Sequence, residues 1–256
     1  MITAVLPAYN EERSLPLLLD AYAELPPNCL GQLRILVVDD GSTDRTAERT
    51  LAYQDRVSVD LISHGKNRGL GVAVRSGLTW ACNHTTADDD VVITMDADNT
   101  HSPALIPALV DRIKEGYDVV IASRYALGGV ERGLSVWRRL LSRGASMLLT
   151  LFFPIAGARD YTCGFRAYRA SALRRGFEQF GDQLIEETGF TCMAELLIKL
   201  ASVGCRVTEV PLTLRYDLKS GVSKMKVART ILRYGRLIAR RRLLTDSAMA
   251  SPTHRG

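Results

Sequence analysis

Short apolar runs alternate with amphipathic stretches through the first half of this 256-residue chain. The runs are rich in valine and isoleucine, as buried parallel strands are. They lie at 3–6, 34–38, 57–62, 91–95 and 118–122, and helical spacing of apolar residues occurs at 15–25, 43–54, 70–83 and 103–116. Strands that alternate with helices build a mostly parallel sheet. The sequence therefore predicts an α/β, doubly wound, Rossmann-like fold, with a later strand at 207–210.

Composition limits the classes of protein to which the chain can belong. Its hydrophobic fraction of 46% and charged fraction of 24% are ordinary for a globular protein with a core. Its five cysteines show no C-x-x-C spacing, which argues against a zinc site and favours a reducing compartment. The sequence shows no signal peptide and no run of about 18 apolar residues. We therefore expect a cytoplasmic protein, and this expectation allows association with a membrane surface.

The fourth predicted strand ends on two acidic residues, Asp96 and Asp98. Open α/β sheets bind ligands beyond the carboxyl ends of their strands, and side chains at i and i+2 of an extended segment point the same way. Two carboxylates so placed suit a hard cation, Mg²⁺ or Mn²⁺, that is also bound by substrate phosphates. The alternatives are an acidic loop, or an aspartate that caps the following helix.

Polar clusters follow three of the predicted strands, at 7–12, 39–44 and 96–100. Because the carboxyl ends of parallel strands share one edge of the sheet, we expect these clusters to meet in one crevice. Asp39 is a candidate for hydrogen bonds to the base or to ribose hydroxyls, and the alternative is a turn that caps the next helix. Other signatures are missing: the G-x-G-x-x-G fingerprint fails at Val74, and neither a P-loop nor G-x-S-x-G occurs.

Six motifs in a fixed order give the chain a family resemblance. They are PAYNE at 7–11, VVDDGSTD at 37–44, NRGLGVAV at 67–74, MDAD at 95–98, ASRY at 122–125 and GFRAYR at 164–169. In order and spacing they resemble the family 2 glycosyltransferases, and among these the dolichol- and polyprenyl-phosphate mannose synthases. The resemblance implies a GT-A fold, a nucleotide-sugar donor that is most often GDP-mannose, and Mg²⁺ or Mn²⁺ as cofactor.

The resemblance also implies roles for individual residues. The catalytic residues would be Asp96, Asp98 and Arg124, and the metal ligands would be Asp96, Asp98 and Thr100. The nucleotide sugar would be bound by Pro7, Tyr9, Glu11, Val37, Asp39, Asp96, Ala97, Asp98, Arg215 and Lys224. The acceptor phosphate would be bound by Arg124, Arg138 and Ser142, and the loop beneath the sugar would contain Asp160, Gly164 and Arg166.

Some of these positions depart from the family or have a second interpretation. Asn99 and Cys163 replace the leucine and serine that are usual in the family. Arg138 also belongs to a basic stretch, with Arg139 and Arg143, that would suit an edge facing a membrane. Glu195 matches a further family position, and we interpret it as structural or sugar-orienting rather than as a base.

The C-terminal part of the chain is basic and amphipathic. Residues 224–242 contain eight basic residues and no acidic one. At helical spacing, one face carries Arg229, Arg233, Arg236 and Arg240, and another carries Val227, Ile231, Tyr234 and Ile238. We favour a helix on an anionic membrane surface, and the alternatives are nucleic-acid binding and a helix packed on the domain. A second surface element is predicted at 134–155.

The predicted organisation is a GT-A domain at 1–223, a membrane-surface helix at 224–244 and a disordered tail at 245–256. The predicted function is metal-dependent, inverting transfer of a hexose from a nucleotide sugar to polyprenyl or dolichyl phosphate. A lipid phosphate is already anionic at neutral pH, so this reaction needs no strong general base. The enzyme would act at the cytoplasmic face of the membrane, with a membrane protein as a further candidate partner and no nucleic acid. The alternatives are UDP-glucose or UDP-N-acetylglucosamine as donor, a hydroxyl acceptor, and a non-catalytic nucleotide-binding scaffold.

Overall fold

The structure is a computed structural model that describes residues 1–27, 33–218 and 227–240. At residues 227–229 and 231 it describes the backbone alone. Within these ranges the chain forms one large sheet, a small two-stranded sheet and the helices that accompany them.

The strands of the described ranges form a seven-stranded and a two-stranded sheet. In chain order they are β1 (Ile2–Ala8), β2 (Leu33–Asp39), β3 (Val59–Ser63), β4 (Val91–Thr94), β5 (Val119–Ser123), β6 (Val130–Arg132), β7 (Arg166–Arg169), β8 (Val207–Pro211) and β9 (Thr213–Arg215). The large sheet has the order β3-β2-β1-β4-β7-β5-β8, and β6 pairs with β9. Neighbours in the large sheet are parallel except where they pair with β7. The predicted mostly parallel, doubly wound sheet is confirmed, and β7 is an antiparallel strand that the sequence patterns did not predict.

The helices in the first half of the chain lie where the apolar spacing predicts them, with shifted ends. The helices are α1 (Ser14–Ala23), α2 (Thr46–Leu51), α3 (Leu70–His84), α4 (Ile106–Lys114), α5 (Val136–Phe152), α6 (Ala170–Phe180), α7 (Cys192–Ser202) and α8 (Val227–Ala239). Helix α2 begins three residues later than predicted, and the N–H of Thr43 in the preceding loop donates to Asn10 Oδ1 at 2.8 Å. A 3₁₀ turn at Pro103–Leu105 precedes α4, and Ser102 Oγ accepts from the N–H of Ala104 at 3.3 Å.

The strand register brings three chain segments to one edge of the large sheet. Ala8 at the end of β1 lies opposite Asp39 at the end of β2, and Val5 of β1 lies opposite Thr94 at the end of β4. The strands beneath this edge are apolar and buried, with Leu36 and Ile93 fully enclosed. A buried sheet therefore holds the three predicted polar clusters side by side.

Helix α8 packs its apolar face on the domain. Tyr234 and Leu237 are 8% and 3% exposed and belong to the apolar core, whereas Arg236 and Arg240 are exposed. At Tyr234 and Leu237 the structure therefore agrees with the alternative of a helix packed on the domain, because protein covers these two side chains. Lys224 and the predicted tail at 245–256 lie outside the described residues, as do the side chains of Val227, Arg229 and Ile231.

None of the helices in the described ranges has both the length and the apolar character needed to span a bilayer.

Candidate active site

A cavity of about 860 Å³ opens at the carboxyl ends of β1, β2 and β4. The three polar clusters that follow these strands each contribute to its wall, as the sequence predicted. Further wall segments come from the start of α3, the loop before β7, helix α5, the segment before α7, the end of β9, and α8. One cavity thus collects residues from most of the length of the chain.

The end of β1 supplies three of the predicted nucleotide-binding residues, since Pro7, Tyr9 and Glu11 all line the cavity. Asn10 has a φ of 53°, a left-handed conformation that asparagine tolerates better than most residues. Its N–H donates to Ser42 Oγ at 2.9 Å. The loop after β1 is therefore fixed to the loop after β2.

The two adjacent aspartates at the carboxyl end of β2 have different roles. Asp39 is 4% exposed, and its Oδ1 accepts from the N–H of Ser42 at 2.9 Å, as the alternative of a turn requires. Neither Asp39 nor the fully buried Val37 is among the lining residues, whereas Asp40 is. Successive side chains of an extended segment point to opposite sides, so only one of two adjacent residues can face the cavity.

Asp40 holds the loop that precedes α3. Its Oδ1 accepts from the N–H of Arg68 at 3.0 Å, and its Oδ2 accepts from the N–H of Gly69 at 2.7 Å. The same carboxylate lies 2.8 Å from His64 Nδ1, and Nε2 of this ring lies 3.0 Å from Ser76 Oγ. These contacts fix a segment that lines the cavity, so Asp40 and His64 are positioning residues. Neither residue was predicted from the sequence, in which the second acid of the Asp39-Asp40 pair was the available signal.

The predicted metal ligands Asp96 and Asp98 both line the cavity, as do Ala97 and Thr100. Asp98 is 8% exposed, and its Oδ1 accepts from Thr100 Oγ1 at 2.6 Å and from the N–H of Thr100 at 3.2 Å. Asn99 between them has a φ of 60°, which turns the chain back after the second acid. Thr100 thus orients Asp98, and its direct ligation of a metal, which the resemblance implies, stays a prediction.

The donor set suits a hard divalent cation that is shared with a phosphate. Carboxylate oxygens are the ligands that Mg²⁺ and Mn²⁺ prefer, and such cations are commonly held by one or two carboxylates plus substrate phosphates. In the described ranges no three Cys, His, Asp or Glu side chains are arranged to hold a metal. Asp96 and Asp98 would therefore hold the cation, and oxygen atoms of the substrate would complete its ligand shell.

A buried ion pair stands beside the two acids. Arg124 lines the cavity and donates to Asp160 through Nε and Nη2, both at 2.7 Å, and through Nη2 to Thr162 Oγ1 at 2.6 Å. Burial opposes the charged form of each partner, but their mutual attraction outweighs it. The pKa of Asp160 is consequently held below its usual value and that of Arg124 above. Asp160 is fully buried and is not among the lining residues, so it positions Arg124 rather than contacting a sugar.

Helix α5 forms another part of the cavity wall. Arg138 and Ser142, the predicted acceptor-phosphate residues, both line the cavity, together with Leu141 one turn from Arg138. Arg138 Nη1 donates to the hydroxyl of Tyr216 at 2.5 Å, and the hydroxyl of Tyr125 donates to Ser142 Oγ at 3.0 Å. A cationic and a hydroxyl group thus lie next to apolar wall, which suits an anion that carries an apolar chain.

A buried network on α7 holds the segment before it. Glu195 Oε2 accepts from the N–H groups of Glu186 and Glu187 at 2.9 and 2.8 Å, and Lys199 Nζ lies 2.7 Å from Glu195 Oε1. The segment then crosses α3, where Thr188 O accepts from the N–H of Gly71 at 3.1 Å and Thr188 lines the cavity. The interpretation of Glu195 as structural agrees with these contacts.

Two more of the predicted site residues, Arg166 and Arg215, are not among the lining residues, in addition to Val37, Asp39 and Asp160. Arg166 is fully buried and donates to the backbone oxygens of Met193 and Tyr161, so it ties the loop before β7 to α7. The side chain of Arg215 pairs with Asp217 at 2.8 Å, while its N–H donates to Thr100 O at 2.9 Å. Lys224 lies outside the described residues. Gly164, the remaining loop residue, lies against Asp96.

Comparison with known proteins places the chain in a family. Residues 3–177 match the family described as Glycosyl transferase family 2. The chain belongs to this family. As a member it is a glycosyltransferase, and the resemblance seen in the six motifs is confirmed.

Two curated relatives and one solved structure illustrate the likeness. The polyprenol monophosphomannose synthase of Mycolicibacterium smegmatis is 35% identical over 86% of this chain and 79% of the relative. The dolichol-phosphate mannosyltransferase of Pyrococcus furiosus is 35% identical over 93% of this chain and 63% of the relative. A crystal structure of glucosyl-3-phosphoglycerate synthase from Mycobacterium tuberculosis, with Mn²⁺, uridine diphosphate and glucosyl-3-phosphoglycerate, matches 99% of this chain and 81% of that chain. Its TM-score of 0.64 at 20% identity confirms the predicted GT-A fold and concerns the fold alone.

In this glycosyltransferase, Gly164 provides a test of how tightly Asp96 is held. A Cβ at Gly164 would lie 3.2 Å from Asp96 Oδ1, so Gly164→Ala must shift the carboxylate by a few tenths of an ångström. We expect kcat/KM for sugar transfer to fall roughly tenfold while stability changes by about 1 kcal/mol or less. Gly144→Ala, in α5, is the control because a Cβ there meets nothing within 4 Å. Transfer rates and thermal unfolding measure both effects, and an unchanged rate for Gly164→Ala would show that Asp96 need not be held in place.

Proposed function

We propose that this family 2 glycosyltransferase transfers mannose from GDP-mannose to a polyprenyl phosphate, with Mg²⁺ or Mn²⁺ bound by Asp96 and Asp98. The observation that carries the proposal is the cavity itself, whose wall combines two acids that follow β4 with an arginine and a serine on α5. The two acids suit a metal and a diphosphate, and the arginine and serine suit the phosphate of an acceptor. The names of the relatives from Mycolicibacterium smegmatis and Pyrococcus furiosus support mannose and a lipid phosphate.

The proposed reaction is a single displacement at the anomeric carbon. The bond between that carbon and the diphosphate oxygen breaks, and the nucleoside diphosphate leaves with the electron pair. An anionic oxygen of the acceptor phosphate forms the new bond from the opposite face, which inverts the centre. Because this oxygen is already deprotonated at neutral pH, no side chain has to remove a proton.

The residues of the chain position the two substrates and balance their charge. A bound divalent cation would neutralise the charge that develops on the leaving diphosphate. Arg124 adds a fixed positive charge beside the acids, held in orientation by Asp160. Arg138 and Ser142 would hold the acceptor phosphate within reach of the sugar. The solved structure of the Mycobacterium tuberculosis enzyme with Mn²⁺ supports a divalent metal.

The outer surface of α5 suits a lipid environment. It exposes a group of large apolar side chains, which we call the α5 apolar face: Val136, Trp137, Leu140, Met147, Leu148 and Leu151. The sequence of α5 contains three arginines and no acidic residue. A basic amphipathic helix with an exposed tryptophan is typical of attachment to an anionic membrane surface. Since Leu141 and Ala145 of the same helix line the cavity, a lipid chain would pass directly from bilayer to site.

Attachment through α5 predicts that substitutions of two equally exposed leucines affect vesicle binding differently. Leu148 on α5 and Leu17 on α1 are each 52% exposed. We expect Leu148→Glu to weaken binding to vesicles that contain anionic phospholipid by about tenfold, because it places a charge in the α5 apolar face. Leu17→Glu is expected to bind like the wild type. Co-sedimentation with vesicles measures the effect, and equal binding by the two variants would refute attachment through α5.

The donor is tested directly with labelled nucleotide sugars. Purified enzyme with polyprenyl phosphate and Mg²⁺ or Mn²⁺ is expected to transfer label from GDP-mannose into a product that organic solvent extracts. If the enzyme prefers UDP-glucose or UDP-N-acetylglucosamine, that nucleotide sugar replaces GDP-mannose as the proposed donor.

The location at the cytoplasmic face and a membrane-protein partner remain predictions. A reducing compartment suits the free thiols of the described cysteines, which are Cys82, Cys163, Cys192 and Cys205.

A further inference from the structure

Helix α8 brings an arginine into the cavity from the far end of the chain. Thr230, Arg233 and Tyr234 of α8 all line the cavity. Tyr234 is 8% exposed and belongs to the core, so this part of the helix is anchored to the domain. The sequence patterns placed Arg233 on a surface that faces a membrane, and the structure places it in the site.

The arginines of the site differ in the partners that they already have. Arg124 forms its ion pair with Asp160 at 2.7 Å, and Arg138 donates to the hydroxyl of Tyr216 at 2.5 Å. Among the ion pairs of the described residues, none includes Arg233. A half-buried guanidinium without a carboxylate partner in these ranges is favourably placed to bind an anion from solution.

The segment before α7 restricts where this guanidinium can lie. A Cβ at Gly189 would collide with Nη1 of Arg233, so the arginine lies directly against the backbone at Gly189. The beginning of the same segment is held by Glu195, which accepts from the N–H groups of Glu186 and Glu187. The glycine therefore leaves room for the guanidinium against a segment whose beginning is held by Glu195.

We infer that Arg233 binds a phosphate oxygen of a substrate in this cavity, an inference that rests on the proposed function. Two substrates carry the required group: the donor through its diphosphate and the acceptor through its lipid phosphate. A planar guanidinium binds either one through two hydrogen bonds. Helix α8 would thereby complete the site only when it is packed on the domain.

The test compares Arg233→Gln with Arg236→Gln, which removes an equal charge from an exposed position on the same helix. Calorimetry with GDP, UDP and Mg²⁺ gives the Kd for the donor diphosphate, and transfer assays with a short-chain polyprenyl phosphate give the KM for the acceptor. We expect Arg233→Gln to raise one of these constants by about ten- to hundredfold. A rise in Kd identifies the donor diphosphate as the bound group, and a rise in acceptor KM identifies the lipid phosphate.

A second variant keeps the test valid if Arg233→Gln loosens α8. Gly189→Ala retains Arg233 but displaces its guanidinium, and we expect a smaller rise in the same constant. Changes of less than twofold in both constants for both variants, relative to Arg236→Gln, would overturn the inference. That outcome is distinct from failure of the proposed function, in which the wild type itself would show no transfer to the lipid phosphate.

Discussion

Asp98→Asn is expected to reduce kcat/KM for sugar transfer by at least about a thousandfold, or about 4 kcal/mol of transition-state stabilisation. The substitution removes one of the two charges that would hold the divalent cation while keeping the size of the side chain. Asparagine Oδ1 can still accept from Thr100 Oγ1 and N–H, so the turn that follows β4 is expected to remain. Initial rates at saturating metal, together with circular dichroism, measure the effect.

The matched control is Asp111→Asn, because Asp111 is an exposed acid that pairs with Lys114 on α4 at 3.2 Å, outside the cavity. It is expected to leave kcat/KM unchanged. Nucleotide binding adds a second readout, since Mg²⁺ should strengthen binding of GDP to the wild type and fail to do so for Asp98→Asn. Retention of more than about a tenth of the wild-type rate would contradict the role given to Asp98.

Asp160→Asn is expected to destabilise the folded protein by about 3–5 kcal/mol, because it leaves the largely buried guanidinium of Arg124 with only the more distant carboxylate of Glu131, at 3.9 Å, as a counter-charge. Arg124 is 11% exposed in its side chain, so water cannot replace the lost partner. For a chain of this length the loss corresponds to a fall of about 10 °C in the midpoint of thermal unfolding. Transfer activity should fall as well, since Arg124 would lose its orientation.

Asp217→Asn is the control for this second prediction, because Asp217 also pairs with an arginine but is exposed. It is expected to leave the midpoint nearly unchanged. The pKa of Asp160 is lowered in the folded state by Arg124, so its contribution to stability is present above the ordinary aspartate pKa of about 3.9 and disappears as the pH falls through the folded value. The difference between wild type and Asp160→Asn should therefore be full at pH 7 and narrow below about pH 4. Equal midpoints at neutral pH would contradict the account of the buried pair.

The sequence predicts the large sheet well because most of its strands are visible as runs of apolar residues. The apolar runs of β1, β2 and β4 alternate with helices, and this alternation determines both the parallel sheet and the edge at which ligands bind. Strand β7 has four residues, as β4 does, but its sequence RAYR contains no apolar run, and it pairs with strands that are distant in the chain. No local pattern carries information about such a pairing, so β7 could not be predicted.

Site residues that directly follow the ends of strands could be predicted from the sequence. Residues whose side-chain orientation depends on tertiary packing could not. Asp96 and Asp98 follow β4, and both line the cavity as predicted. At the end of β2, Asp40 lines the cavity in place of the predicted Asp39, because successive side chains of an extended segment point to opposite sides. The motif that contains Arg166 gave no sign that its guanidinium would be enclosed beneath the loop. An amphipathic pattern such as that of α8 shows that one face is apolar and leaves open whether protein or membrane covers it.

The central claim is that the acceptor is a phosphate that attacks without a general base. The most direct test compares polyprenyl phosphate with the polyprenol of the same chain length, using labelled GDP-mannose and the metal-loaded wild-type enzyme. The account predicts labelled lipid product with the phosphate, inverted at the anomeric carbon, and none above background with the alcohol. Transfer to the alcohol at a rate equal to or above that with the phosphate would contradict it, since a hydroxyl acceptor requires a base that the proposed mechanism does not include.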